Sequence, residues 1–433
     1  MSVLKSFRSL YFATLLMLLG SGLLSTYLAL NVADRASGIW VGAMMSSFYL
    51  GLVTGGKFGH RLIARVGHIR AYVASAGVVT AAVLVHGLLD NLWVWLLLRV
   101  IVGLGMMCLY MVIESWLNEQ SSSDERGKVF SGYMMASYLG SVIGQLMLAS
   151  LSNLETQILL LVALCFSLCL VPVALTKRIH PEPLKPATLS PRYFYQQVPV
   201  SMFTSLIAGA IVGSFYGLAP LYAARIGMPT QQVGLFMAAC VAAGFFVQAP
   251  LGYLSDNIDR SKLIRWCSIL LLFVAMPQAV NTDWPIWLTF TLGSLSCALL
   301  FSLYPLAVAF ANDNIEAEKR VSLTAVLLTI FGLGASIGPL LIGSLMRVFG
   351  PNMLFAFFCL SAAIIAIKIR PQVITGDTQV DEAPLPHLAM PDGLASSPLV
   401  AALDPRVEEE YVLDQMHEYA MEHVPEENEE QHY

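Results

Sequence analysis

The chain of 433 residues is 57% hydrophobic and only 12% charged, with a net charge of −5 and a mean hydropathy of +0.68. A soluble protein carries about 25% charged residues, and no water-soluble fold hides this much apolar surface, so a polytopic membrane protein is the economical reading. In lipid only helices and closed barrels satisfy every backbone group, and the apolar segments, roughly 18–25 residues and apolar all round, select helices over strands.

Lys5 and Arg8 precede an apolar run too long for a signal peptide and followed by further spans, so it reads as an uncleaved first transmembrane helix. The predicted spans are 10–31, 39–58, 71–89, 92–116, 129–151 and 157–175, then 200–223, 233–254, 262–280, 284–310, 321–346 and 353–369. This is an all-α membrane protein of twelve transmembrane helices in two pseudo-symmetric six-helix bundles. The bundles occupy 1–175 and 200–369. Between them lies 176–199, a cytoplasmic linker whose stretch 176–197 contains four prolines, Pro181, Pro183, Pro186 and Pro191, which oppose a regular helix.

The connections alternate in charge. One side holds 17 basic residues and the other only Arg35, Arg225 and Arg347. Cationic loops stay in the cytoplasm, so both termini are expected there, in a bacterial inner membrane. Residues 370–433 hold 15 Asp or Glu against 2 Lys or Arg, which predicts a mostly disordered acidic cytoplasmic tail. Pro405 could start a short helix through Val424. The tail is either a solvated extension or a docking segment for the basic cytoplasmic face. The seven cysteines lie in apolar segments without a Cys-x-x-Cys pair and read as core hydrophobes. No metal site, cofactor or enzymatic constellation is expected, and the acidic tail argues against nucleic acid.

The two halves repeat. Residues 109–146 shifted by 194 fall on 303–340, so that Tyr110 meets Tyr304, Asn118 meets Asn312, Glu119 meets Asp313 and Arg126 meets Arg320. Gly140 and Gly144 meet Gly334 and Gly338. Duplicated bundles of this kind build many secondary transporters, with the site between the halves. Glu119, Arg126, Asp313 and Arg320 lie at helix ends, as local caps or as gate pairs. The small-residue stripes predict close helix packing.

Residues 252–262, GYLSDNIDRSK, resemble the cytoplasmic loop motif of the major facilitator superfamily. Gly252, Asp256, Asp259, Arg260 and Lys262 match it, and Asn257 replaces its first arginine. The counterpart after the second span keeps Arg65 and Gly67 but has Ala64 where the family has Asp. The resemblance implies a gate motif that latches the two halves on the cytoplasmic side. Arg99-x-x-x-Gly103-x-Gly105 is similar to a second family motif, whose arginine is tied to conformational or proton coupling. An arginine inside a span faces protein or a cavity, or else snorkels to the interface. Where the family's antiporters carry Gly-Pro in the fifth helix, Gln145 stands in the proline position. The stretches LYMVIESWLNE and SLYPLAVAFAND also resemble the bacterial YcaD-type branch, which adds no substrate.

Glu114 is the one acid within a predicted span, and so a candidate proton carrier. Its neighbour Trp116 suggests instead an interface or gate position. Tyr27, Asn31, Tyr138, Gln145, Tyr216, Gln248 and Tyr304 are polar or aromatic candidates for a substrate cavity, beside Arg99 and Glu114. Met106, Met107, Met111, Met134 and Met135 suit an adaptable apolar wall. The expected function is secondary transport of a small molecule by alternating access, as a monomer in the bilayer. Proton coupling is a hypothesis, and efflux of amphiphilic compounds is favoured. A membrane sensor acting through the tail is the alternative.

Overall fold

The computed structural model describes residues 7–121, 126–150, 156–174, 191–316 and 319–369, with Ser396, Ser397 and Leu399. The predicted helix from Pro405 lies outside them. Among the described residues the chain is almost wholly helical. The first helices are α1 (Arg8–Arg35), α2 (Gly38–Val66), α3 (His68–Leu88), α4 (Leu92–Glu119) and α5 (Arg126–Ala149). Next come α6 (Gln157–Leu168), α7 (Leu170–Ala174) and α8 (Pro191–Gln197). The remainder are α9 (Pro199–Arg225), α10 (Thr230–Phe246), α11 (Gln248–Asn257), α12 (Arg260–Val280), α13 (Ile286–Asn312), α14 (Arg320–Phe349) and α15 (Met353–Lys368).

Among the described residues ten spans are long and apolar enough to cross a membrane, with α6–α7 and α10–α11 each counted once. Helix α15 is apolar but shorter, and α5 has the length but a more polar sequence. The two interruptions have a local cause. Pro172 and Pro250 lack an N–H and crowd the carbonyl one turn back, so the helix breaks just before them. Other boundaries follow capping chemistry. Asn91 accepts from the N–H groups of Trp93 and Val94 at 2.9 and 3.3 Å to start α4. Gly67, at φ +81°, ends α2 in a backbone region that disfavours other residues.

Helices α1–α7 form one packed set: α2 runs along α4, α1 along α5, and α3 lies on α4 and α6. In the second set α9 runs along α14, and α12 lies on α13 and α15. The sets meet where α2 packs on α14, α5 on α10, and α9 on α1 and α2. The small-residue stripes make the close contacts. A Cβ on Gly144 would sit 2.5 Å from the Leu19 carbonyl oxygen, and one on Gly338 2.4 Å from that of Ala210.

Two expectations need correction. The linker prolines do not keep all of 176–199 from being helical. Pro191 opens α8, where its missing N–H costs nothing. Phe194 is buried, and Tyr193 accepts a 3.3 Å bond from Lys319 just ahead of α14. Residues 176–190 lie outside the described part. Trp116 is not an interface anchor, because it is 0% exposed and packed in the core.

Candidate functional site

Between the two sets lies a cavity of about 60 Å³. Helix α1 contributes Leu18, Ser21, Gly22 and Ser25, and α2 contributes Phe48 and Tyr49. Tyr110 comes from α4, Ser137, Tyr138 and Ser141 from α5, and Tyr216 from α9. The wall is aromatic and hydroxyl-bearing and carries no charged side chain. Tyr138 packs on Phe245, with ring centres 5.3 Å apart, and Tyr216 on Phe301 at 5.7 Å, so rings of the second set back both tyrosines.

Of the predicted cavity residues, Tyr138 and Tyr216 line it. Tyr49, Tyr110 and the serines were missed by sequence reasoning. A signal existed: Ser21 with Ser25, and Ser137 with Ser141, are spaced four apart and therefore share a helix face. None of the five methionines is in the lining. Four are buried core fillers and Met135 is 59% exposed, so the expected methionine wall is not found. Tyr304 packs under Phe331 at 4.6 Å. Gln248 is buried, and among the described residues neither of its amide atoms has a partner.

Gln145 ties α5 to α1 instead. It accepts from the Thr26 hydroxyl at 2.9 Å and donates to the Gly22 carbonyl at 3.2 Å. Gln145→Leu leaves both partners unsatisfied, and the expected cost is about 1–2 kcal/mol, read as a lower Tm of the detergent-purified protein. Tyr27 and Asn31 belong to a network at the far end of α1. Asn31 donates to the Tyr27 hydroxyl at 3.4 Å and accepts from Arg35, which pairs with Asp90 and lies over Trp95 at 5.3 Å.

Arg99 does not snorkel, since it is 1% exposed. Its guanidinium lies 4.3 Å from the Phe48 ring centre and 3.4 Å from both the Ser25 hydroxyl and the Met45 sulfur. Phe48 and Ser25 are cavity residues, so Arg99 places a positive charge just behind the wall. A cation over a ring face gains from the quadrupole, which offsets part of its burial cost.

Glu114 is likewise 0% exposed. The Tyr133 hydroxyl donates to its Oε1 at 2.9 Å, and Ser397 supplies further donors. The next residue, Ser115, has its hydroxyl 2.9 Å from the His68 ring. Glu119 closes α4, and its side chain lies outside the described part. Arg126 and Arg320 are buried at the starts of α5 and α14, and the repeat-related Asn118 and Asn312 are buried at the ends of α4 and α13.

The loop motif makes a buried clamp. Arg260 pairs with Asp313, donates to the Ala309 carbonyl at 3.0 Å and the Ser255 hydroxyl at 3.1 Å, and reaches Asp256 at 3.4 Å. These bonds join the end of α11 to the end of α13, both in the second set. Asp259 caps α12 by accepting from the Ser261 N–H at 2.9 Å, with Lys262 at 4.0 Å. Gly252 is part of α11, and Arg65 is exposed on the last turn of α2.

The Arg35 end of the central seam is tightly packed. At the Arg35 end, a Cβ on Gly42 would sit 2.2 Å from the Pro339 carbonyl oxygen, and one on Gly343 2.5 Å from that of Gly38. There α10 meets α5 as closely, since a Cβ on Gly234 would lie 2.7 Å from the Ala149 nitrogen. At this end α2 with α14, and α5 with α10, meet by backbone contact.

Comparison with known proteins agrees with this architecture. YcaD of Salmonella arizonae, an uncharacterized MFS-type transporter, is 30% identical over 347 residues, covering 79% of this chain and 89% of that protein. Its counterpart in Escherichia fergusonii is 29% identical over 351 residues, 78% and 91% of the two chains. The nucleoside transporter NupG superposes with a TM-score of 0.74 at 12% identity, over 87% of this chain and all (100%) of NupG. A bacterial homolog of the human lysosomal transporter Spinster, in an inward-facing and occupied conformation, gives 0.71 at 13% identity, over 86% and 98%. These structures share the fold. Since the family model also matches residues 10–304 and 232–402, this multi-pass membrane protein belongs to the Major Facilitator Superfamily.

Proposed function

We propose that the chain is a secondary transporter of a bacterial inner membrane that moves a small molecule by alternating access. The reading takes α1–α7 and α9–α15 as two six-helix halves, 1–175 and 200–369. Twelve spans result when α5 and α15 are added to the ten long apolar ones. The basic end of the bundle is assigned to the cytoplasm by its charge. The observation that carries the reading is the cavity: α1, α2, α4 and α5 wall it from one side and Tyr216 of α9 from the other. Backbone contact at the Arg35 end supports reading the state as closed there, so that substrate would enter from the cytoplasm.

An uncharged wall of tyrosines and serines suits a neutral or amphiphilic compound with a ring and hydrogen-bonding groups. Among the fold relatives, NupG is named for nucleosides and another for the D-xylose–proton pair. A cavity loaded from the cytoplasm fits efflux. Arg99, behind Phe48, would couple occupancy to helix movement, and Glu114 would carry a proton. Asp256, Arg260 and Asp313 would hold the second half rigid while the halves rock.

The test is thermal stabilisation of the purified protein by a library of metabolites and drugs at two pH values. A hit should lose about tenfold or more in affinity in Tyr138→Ala and in Tyr216→Ala, the effect of removing a stacking ring of about 1.4 kcal/mol. Exposed Tyr195→Ala should leave it unchanged. Stabilisation equal in all three would place the site elsewhere. Transport of that compound in proteoliposomes should follow an imposed pH gradient, and indifference to the gradient would end the proton-coupling reading.

A further inference from the structure

The feature that transport does not use is the contact between Glu114 and the acidic tail. Ser396 and Ser397 are 3% and 0% exposed, although 26 residues separate them from Ile369. At roughly 3.3 Å per residue that length reaches any point on the basic face. The Ser397 N–H donates to both oxygens of Glu114, at 3.0 Å each, and its hydroxyl donates to Oε2. The same hydroxyl accepts the Leu399 N–H at 3.2 Å. Leu399 packs against the core. A buried carboxylate is costly unless donors surround it. Here Tyr133 and Ser397 supply them.

The place of this contact follows from helix geometry. Tyr110 of α4 and Ser137 of α5 line the cavity. Glu114 and Tyr133 stand one turn away on the same faces, toward the basic end, and one turn rises about 5.4 Å. Ser397 therefore sits just beyond the cavity, on the route to the basic end. The other end is the one sealed at Gly42 and Gly343. The tail's composition accounts for which piece is buried. Residues 393–403, between Asp392 and Asp404, carry no charge, whereas acidic residues would be repelled by Glu114.

We propose that Ser396, Ser397 and Leu399 form a built-in plug, anchored on Glu114, that closes the basic-end exit of the cavity until the tail is released. The consequence for transport rests on the function proposed above; the plug itself does not.

The experiment uses the full chain with a photoreactive benzophenone amino acid at position 399. Irradiation should give an intramolecular cross-link to peptides of α4 or α5. Its yield should fall about tenfold in Glu114→Ala, the shift expected when charge-assisted hydrogen bonds hold one population. Ser397→Pro, which removes both donors without touching the bundle, should act alike if Glu114→Ala fails to fold. In a second readout the seven cysteines are replaced and Tyr110→Cys is introduced. Removal of residues 370–433 should then speed its labelling by a membrane-impermeant maleimide from the basic face about tenfold. Cross-links confined to surface loops, or a yield that neither substitution lowers, would overturn the contact. Cross-linking with labelling unchanged by truncation would overturn the plug. Neither readout needs a transported compound, so failure of the transport reading leaves both interpretable.

Discussion

Arg260→Ala is expected to destabilise the protein by about 3–5 kcal/mol, because it strips the partner from a buried carboxylate. Asp313 is 5% exposed, and Arg260 is its ion-pair partner across 53 residues of sequence. The same guanidinium holds Ser255 and the Ala309 carbonyl, so the end of α11 loses its tie to α13. Thermal unfolding in detergent reads the loss. Arg260→Lys should recover only a fraction, since one compact ammonium nitrogen cannot span the four acceptors that the planar guanidinium reaches on two helices. The double change Arg260→Met with Asp313→Leu should be milder than Arg260→Ala, because no buried charge is left alone. Equal loss in the two would mean that the clamp acts through packing and not through charge.

Gly42→Val should act differently. The Cβ would lie 2.2 Å from the Pro339 carbonyl oxygen, closer than any real Cβ contact, so α2 and α14 must part at the Arg35 end. Under alternating access this excludes the state seen here and drives the protein to the one open at that end. Shifting a two-state equilibrium through most of its range takes about 5.5 kcal/mol, which a backbone clash of this depth readily supplies. Turnover should fall at least about tenfold while the protein still folds. Gly209→Val is the contrast. Its Cβ would lie 1.9 Å from the Phe331 carbonyl oxygen, but within the second set, so it should lower Tm without selecting a state.

Much of the architecture was legible because membrane helices obey two strong signals, apolar length and loop charge. The repeat added the equivalence of α4 and α13. What escaped depended on long-range partners. The repeat set Asp313 against Glu119 and Arg320 beside it, yet Asp313 pairs with Arg260, and no local rule ranks those two arginines. Arg99 lay near a helix start, where snorkelling was a fair alternative. Only packing by Met45, Phe48 and Ser25 turns it inward. Tyr27, Asn31 and Gln145 looked like cavity residues by type, but their neighbours on other turns and helices consume their hydrogen bonds. Glu114 was legible as a special acid. Its partner Ser397, 283 residues away, was not, because a short neutral stretch inside an acidic tail carries no periodic pattern.

Alternating access is tested most directly by two spin-label distances in protein with its seven cysteines replaced. One pair, Ser37→Cys with Arg347→Cys, spans the seam at the Arg35 end. The other, Arg65→Cys with Ser322→Cys, spans it at the basic end. In the otherwise unchanged protein the first pair should be close and the second apart. Adding Gly42→Val should lengthen the first and shorten the second. Both distances unchanged, or both longer together, would contradict a bundle of two halves rocking about a central cavity.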